Sequence, residues 1–87
     1  MDRYTGLILV SAPLTNLEAN HIESKILETL SAFTITILDK KSMQIRDRYF
    51  LAIYINLDKV HQKAIDSDLK QVAEELQVDL AVDYRQE

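Results

Sequence analysis

Residues 49–57 read YFLAIYINL, and this stretch decides the fold because it is apolar on both faces of an extended chain. One set of alternate positions carries Tyr49, Leu51, Ile53 and Ile55. The intervening positions carry Phe50, Ala52 and Tyr54. A strand that is apolar on both faces is usually central in its sheet. The stretch therefore predicts a central β-strand.

The flanking segments alternate between strand and helix patterns. Apolar residues repeat every second position in the strand-like segments and every three to four positions in the helix-like ones. In chain order the prediction is a strand at 4–12, a helix at about 21–31, a strand at 33–45, the central strand, a helix at about 60–77 and a strand at 78–84. Asn20 is the predicted cap of the first helix, with the capping box of Thr15 and Glu18 as the alternative. Asp58 or Asp66 is predicted to cap the second helix.

This order of segments predicts an α+β ferredoxin-like βαββαβ sandwich, in which two helices cover one face of a four-stranded antiparallel sheet. One domain is expected to span residues 1–87. The first and third strands are expected to lie centrally. The uncovered face should then carry Ile8, Val10, Phe50 and Tyr54, or their opposite-parity neighbours. An exposed apolar patch usually marks an interface, so we expect a homodimer.

Composition restricts the function classes. The net charge of −4 argues against a protein that binds the nucleic-acid phosphate backbone, which needs clustered cations. The chain has no cysteine, which excludes disulfides and thiol chemistry. The apolar run at 7–10 is far shorter than the roughly 20 residues that cross a bilayer. We therefore expect a cytoplasmic protein without membrane or nucleic-acid partners.

Candidate catalytic and metal-binding side chains are few. Asp66 and Asp68 form an Asp-x-Asp pair, but the pair lies in a helical pattern rather than at the end of an apolar strand, so we interpret both as solvated helix residues. His21 and His61 are the only histidines, and neither has partners at metal-ligand spacing. No catalytic residue and no metal site is predicted.

An RNA-binding sheet is an alternative on the same fold. Phe50 and Tyr54 lie on one face of a central strand, as do the aromatic residues on which RNA-recognition sheets stack bases. The signature glycine is missing, and Asp79 and Asp83 would repel phosphates. These features favour a regulatory or assembly role over RNA binding.

Five segments of the sequence resemble those of a known protein family. They are residues 35–39, 43–48, 49–57, 65–69 and 78–82, of which the most specific is Ile45-Arg46-x-Arg48 followed by the apolar strand. Together they resemble the ACT domain, and more closely the N-terminal ACT domain of phosphoserine phosphatases. That resemblance implies a regulatory module of L-serine biosynthesis that dimerises and senses serine or another amino acid. The Mg²⁺-dependent Asp-x-Asp-x-Thr machinery of that family is absent from this chain, so no cofactor is expected here.

The resemblance also implies a ligand site at the first loop, with Ser11, Asn20 and His21 as candidates. Asn20 and His21 stand where the family carries Pro-Gly, and that glycine lets backbone N–H groups approach a ligand carboxylate. The missing glycine leaves a second hypothesis open, in which the chain is a stand-alone assembly module that binds no ligand. Whether the chain is a part of a longer phosphatase also stays open. Arg46 and Arg48 are either a solvated hairpin tip or a contact with a catalytic domain.

Overall fold

Four strands and two helices make up the part of the chain that the computed structural model describes, residues 3–14 and 19–86. The elements are β1 (Arg3–Pro13), α1 (Ala19–Leu30), β2 (Ile35–Ile45), β3 (Arg48–Asp58), α2 (Gln62–Leu76) and β4 (Asp79–Gln86). A 3₁₀ turn at Lys59–His61 leads into α2. Neither described helix is long and apolar enough to span a membrane.

The strands form one antiparallel sheet in the order β2-β3-β1-β4. The predicted ferredoxin-like sandwich is therefore confirmed, and β1 and β3 are its central strands. Both helices pack on the same face of the sheet. We call the other side the open face.

The core lies between this sheet and the helices. Because strand side chains alternate between faces, every second residue of the central strands points into it. The buried strand residues include Ile8, Val10, Leu51, Ile53, Ile55 and Leu57. The buried helix residues include Ile22, Ile26, Leu30, Ile65, Leu69 and Leu76. Each such side chain stabilises the fold by roughly 1.5–3 kcal/mol through burial, which fixes the helices on this face.

The helix starts differ in part from the predictions. Asp58 caps the 3₁₀ turn, where its Oδ1 accepts a hydrogen bond from the Val60 N–H at 3.1 Å. Asp66 lies inside α2, so its predicted capping role is wrong. Asn20 is the second residue of α1 rather than its cap, since the helix begins at Ala19. The alternative capping box falls on residues 15–18, outside the described part of the chain.

The β2–β3 hairpin closes through a two-residue turn, Arg46 and Asp47, because Ile45 pairs directly with Arg48. Arg46 has a φ of 54°, in the left-handed region. The Leu14 N–H donates to the Asp47 carbonyl at 2.7 Å, which ties the tip of the hairpin to the end of β1.

A β-bulge in β2 changes which side chains reach the open face. The pairing steps from Ile37 opposite Ile55 to Asp39 opposite Tyr54, so Leu38 is the extra residue. A bulge of one residue reverses the alternation beyond it. Odd-numbered residues of β2 therefore lie on the helix side before the bulge and on the open face after it. The ion pair of Lys40 with Glu23 of α1, at 3.0 Å, agrees with this placement.

Candidate functional site

The open face exposes several large apolar side chains. Leu9 of β1, Met43 and Ile45 of β2, and Tyr54 of β3 lie on it, and each is 40–59% exposed. Phe50 lies among them and is partly buried. Contiguous apolar surface of this kind on a small domain is typical of an interaction site.

The predicted interface residues divide between the two faces. Ile8 and Val10 are buried beneath the helices, so their placement on the open face is wrong. Their neighbour Leu9 lies on the open face instead, in agreement with the opposite-parity alternative that the sequence left open. Phe50 and Tyr54 do lie on the open face, and their role in an interface stays a prediction.

A shallow depression of about 710 Å³ lies on the open face, towards the β2–β3 hairpin tip. Ala52 and Ala81 line it together with the larger side chains of Leu9, Met43 and Phe50. The hollow exists because alanine is small at two positions of one cross-strand row. Met43 was not predicted for this face, because the residues around Leu38 do not mark the bulge that turns it outward.

One end of the depression is polar. Nη2 of Arg48 donates to Oγ of Ser11 at 2.5 Å and lies 3.7 Å from Oδ2 of Asp79. Arg48 thus reaches across the open face from β3 to β4 instead of extending into solvent as a free hairpin tip. All three side chains remain in contact with water, so the ion pair contributes little to stability on its own.

The three candidate ligand residues are not brought together. Ser11 lies on the open face, whereas Asn20 and His21 are exposed in the first turn of α1, on the helix side of the sheet. The sheet separates Ser11 from the other two. A ligand site at the start of α1 would therefore have to do without the Ser11 side chain.

Asp66 and His61 contact other side chains of the domain. Asp66 accepts a hydrogen bond from the Tyr84 hydroxyl at 3.2 Å and pairs with Lys70 at 2.8 Å. The His61 ring lies 6.2 Å from the ring of Phe33. Within residues 3–14 and 19–86, no three histidine or carboxylate side chains converge as a metal site would require.

Two tyrosines on the helix side have perturbed acidity. Burial, followed by the charge of Asp66 and the hydrogen bond to it, raises the pKa of Tyr84. Burial and then the charge of Glu23 raise the pKa of Tyr49, while a hydrogen bond with Ser42 lowers it in part. Both hydroxyls therefore stay protonated at neutral pH. Neither lies on the open face, so they bear on stability rather than on the candidate interface.

The sequence matches a known protein family, and the fold matches solved structures. Residues 18–83 match the ACT domain family. An ACT domain protein from Streptococcus pneumoniae superposes with a TM-score of 0.77 at 11% identity, over 93% of this chain and 89% of that one. A formyltetrahydrofolate deformylase from Burkholderia mallei superposes at 0.75 and 11% identity, over 92% of this chain and 28% of that one. No curated protein matched the sequence.

A third solved structure is the regulatory subunit of aspartate kinase from Thermus thermophilus, with a TM-score of 0.63 and 16% identity over 94% of this chain and 50% of that one. The chain thus spans about a quarter of the deformylase and half of the kinase subunit. At these identities the structural likeness concerns the fold. The family match covers more than half of the sequence, and this chain belongs to the ACT domain family.

Proposed function

We propose that this chain is a regulatory ACT domain that acts as a homodimer, assembled through its open face. The observation that carries the proposal is the exposed apolar surface around Leu9, Met43 and Tyr54, on the side of the sheet that no helix covers. Two-layer domains bury one face of their sheet against helices, and the second face needs another partner when it is apolar.

The size of this face suits a stable contact. Four strands spaced about 4.8 Å apart, with a rise of about 3.3 Å per residue, present a surface of roughly 19 by 30 Å before side chains are counted. A standard interface buries roughly 800 Å² on each partner. The open face is of that order, so a second copy of the same face can cover it.

A single charge in the middle of the face tests this assembly. Leu9→Asp would place a carboxylate in the buried centre of the dimer, where its desolvation is costly. We expect this variant to sediment as a monomer at concentrations where the wild type is a dimer. Val60→Asp is the matched control, because Val60 is 75% exposed on the 3₁₀ turn, away from the open face. An unchanged dimer in Leu9→Asp would reject the open face as the interface.

A regulatory ACT domain also requires a signal, and we propose a small α-amino acid, with serine as the first candidate. Exposed polar side chains at the start of α1, Asn20 and His21, lie beside a helix N-terminus that favours a carboxylate. A ligand that binds only the folded state raises the melting temperature by mass action. We expect millimolar L-serine or glycine to raise it, and equimolar sodium chloride to leave it unchanged. No shift with any amino acid would leave a pure assembly module.

The finer proposal is that the domain regulates a phosphoserine phosphatase in L-serine biosynthesis. Its support is the resemblance of Ile45-Arg46-x-Arg48 and the following strand to that group of ACT domains. Reading the gene in frame beyond the codon for Glu87 tests it directly. An apolar strand followed by Asp-x-Asp-x-Thr would support the phosphatase. A different catalytic domain, or a stop codon, would contradict it and leave the regulatory ACT role in place.

A further inference from the structure

We infer that two copies pack open face to open face about a two-fold axis parallel to the strands, which sets Lys41 of each copy between Asp79 and Asp83 of the other. This inference rests on the proposed homodimer and adds its geometry. The occupant of the depression is then the matching face of a second copy. The cross-strand register, the side-chain sizes and the charges of the open face each bear on this choice.

The register arranges the centre of the open face in three rows that cross all four strands, because directly paired residues share a face. The Ser11 row holds Met43, Phe50, Ser11 and Asp79. The Leu9 row holds Lys41, Ala52, Leu9 and Ala81. The Leu7 row holds Asp39, Tyr54, Leu7 and Asp83. The depression lies over the Leu9 row and the Ser11 row.

Two symmetric arrangements keep the strands of the facing sheets aligned, within the roughly 30° that sheet twist imposes. A two-fold axis parallel to the strands sets β2 of one copy over β4 of the other, and β3 over β1. Each cross-strand row then lies over the same row of the second copy. An axis across the strands sets every strand over its own copy and exchanges the Ser11 row with the Leu7 row. The side chains that meet differ completely between the two.

Side-chain size favours the parallel axis. In that arrangement Leu9 of one copy lies over Ala52 of the other, so a large side chain enters the hollow that a small one leaves, twice by symmetry. Phe50 likewise lies over Ser11. The crossed axis instead sets Leu9 on Leu9 and Ala52 on Ala52, which leaves a void at the alanines. Such voids forfeit packing contacts and destabilise an interface.

Charge favours the same axis. Lys41 is exposed and makes no ion pair within residues 3–14 and 19–86. The parallel axis sets it over Ala81 of the second copy, flanked by Asp79 and Asp83. The Asp79 side chain is 89% exposed, although Arg48 lies 3.7 Å away, and Asp83 pairs with Arg85 at 3.1 Å. The crossed axis would set Lys41 against Lys41, which costs free energy.

Two contacts oppose the parallel axis. Met43 of one copy would lie over the Asp79 carboxylate of the other. Asp39 of one copy would lie over Asp83 of the other, at the outer edge of the sheet. Its Oδ1 already accepts the Lys40 N–H at 2.8 Å. Because this edge is open to water, salt and solvent screen the repulsion, while the Leu9–Ala52 contact lies at the centre.

A charge-swapped pair of chains tests the inference. One chain carries Lys41→Glu, and the other carries Asp79→Lys and Asp83→Lys. About the parallel axis each chain alone sets like charges against each other, so its dimer should weaken on the order of tenfold or more. A mixture restores opposite charges at both contacts. We expect sedimentation to show monomer-rich single samples and a mixed dimer at least as tight as the wild type.

Matched controls separate this effect from overall charge. The pair Lys63→Glu and Asp68→Lys/Glu74→Lys makes the same charge changes at exposed positions of α2. Its chains should dimerise like the wild type, separately and mixed. If each charge-changed chain alone dimerises as tightly as the wild type while Leu9→Asp still abolishes the dimer, the axis is wrong and the proposed interface stands. If the wild type is monomeric, the inference and the proposed dimer both fail.

Discussion

At the scale of single residues, Arg46 and Gln77 hold left-handed backbone, with φ values of 54° and 57°. An L-residue with a side chain pays roughly 1–2 kcal/mol in this conformation. Gln77 ends α2, where its own N–H donates to the Glu74 carbonyl at 3.2 Å and the Val78 N–H donates to Ala73 at 3.0 Å. These bonds satisfy carbonyls that the helix end would otherwise leave unpaired. The hydrogen bonds hold the strained residue in place.

Gln77→Gly should therefore stabilise the domain by about 1 kcal/mol, because glycine adopts this conformation without a steric penalty. The measurement is the free energy of unfolding from urea titration. Gln71→Gly is the control: Gln71 is exposed in the interior of α2, where glycine should cost about 1 kcal/mol. A loss of stability in Gln77→Gly would contradict the left-handed end of α2.

At the scale of elements, Tyr84 and Asp66 tie β4 to α2. The pKa of Tyr84 is raised from its ordinary value of 10.0, through burial first and then the charge and hydrogen bond of Asp66. Unfolded chains lose the tyrosine proton near pH 10, whereas folded chains keep it to higher pH. The folded state then binds more protons, so stability is full below pH 10 and falls as the pH rises above it.

Tyr84→Phe should flatten this fall. Phenylalanine has no proton to lose, so the variant keeps only the pH dependence that other groups, including Tyr49, contribute. Urea midpoints of both proteins between about pH 8 and pH 11 give the comparison. If the urea midpoints of the two proteins fall in parallel above pH 10, burial and Asp66 do not raise the pKa of Tyr84.

Periodicity predicted the elements themselves but not which face of the sheet each strand residue occupies. Both faces of β1 are apolar, so sequence alone could not choose between Ile8 and Leu9 for the open face. The choice follows from the long-range packing of α1 and α2. In β2 the bulge at Leu38 turns Met43 outward. Ser11 lies apart from Asn20 and His21 because the alternation of side chains along β1 places it on the open face, whereas α1 lies on the other side of the sheet.

At the scale of the whole molecule, a two-layer sandwich leaves one sheet face without a partner. The same fold occurs in a deformylase and in a kinase regulatory subunit at 11% and 16% identity, so the two layers persist although most residues differ. The open face of this ACT domain is apolar at its centre and carries charged residues on both edge strands. Such a surface favours one partner orientation over others, which suits an assembly with defined geometry.

Sedimentation equilibrium of the chain across a concentration series is the most direct test of the proposed dimer. The monomer mass is 10.0 kDa. The proposed assembly predicts a mass that rises to twice that value with concentration, and a return to the monomer mass in Leu9→Asp but not in Val60→Asp. A mass that stays at 10.0 kDa across the series would contradict it.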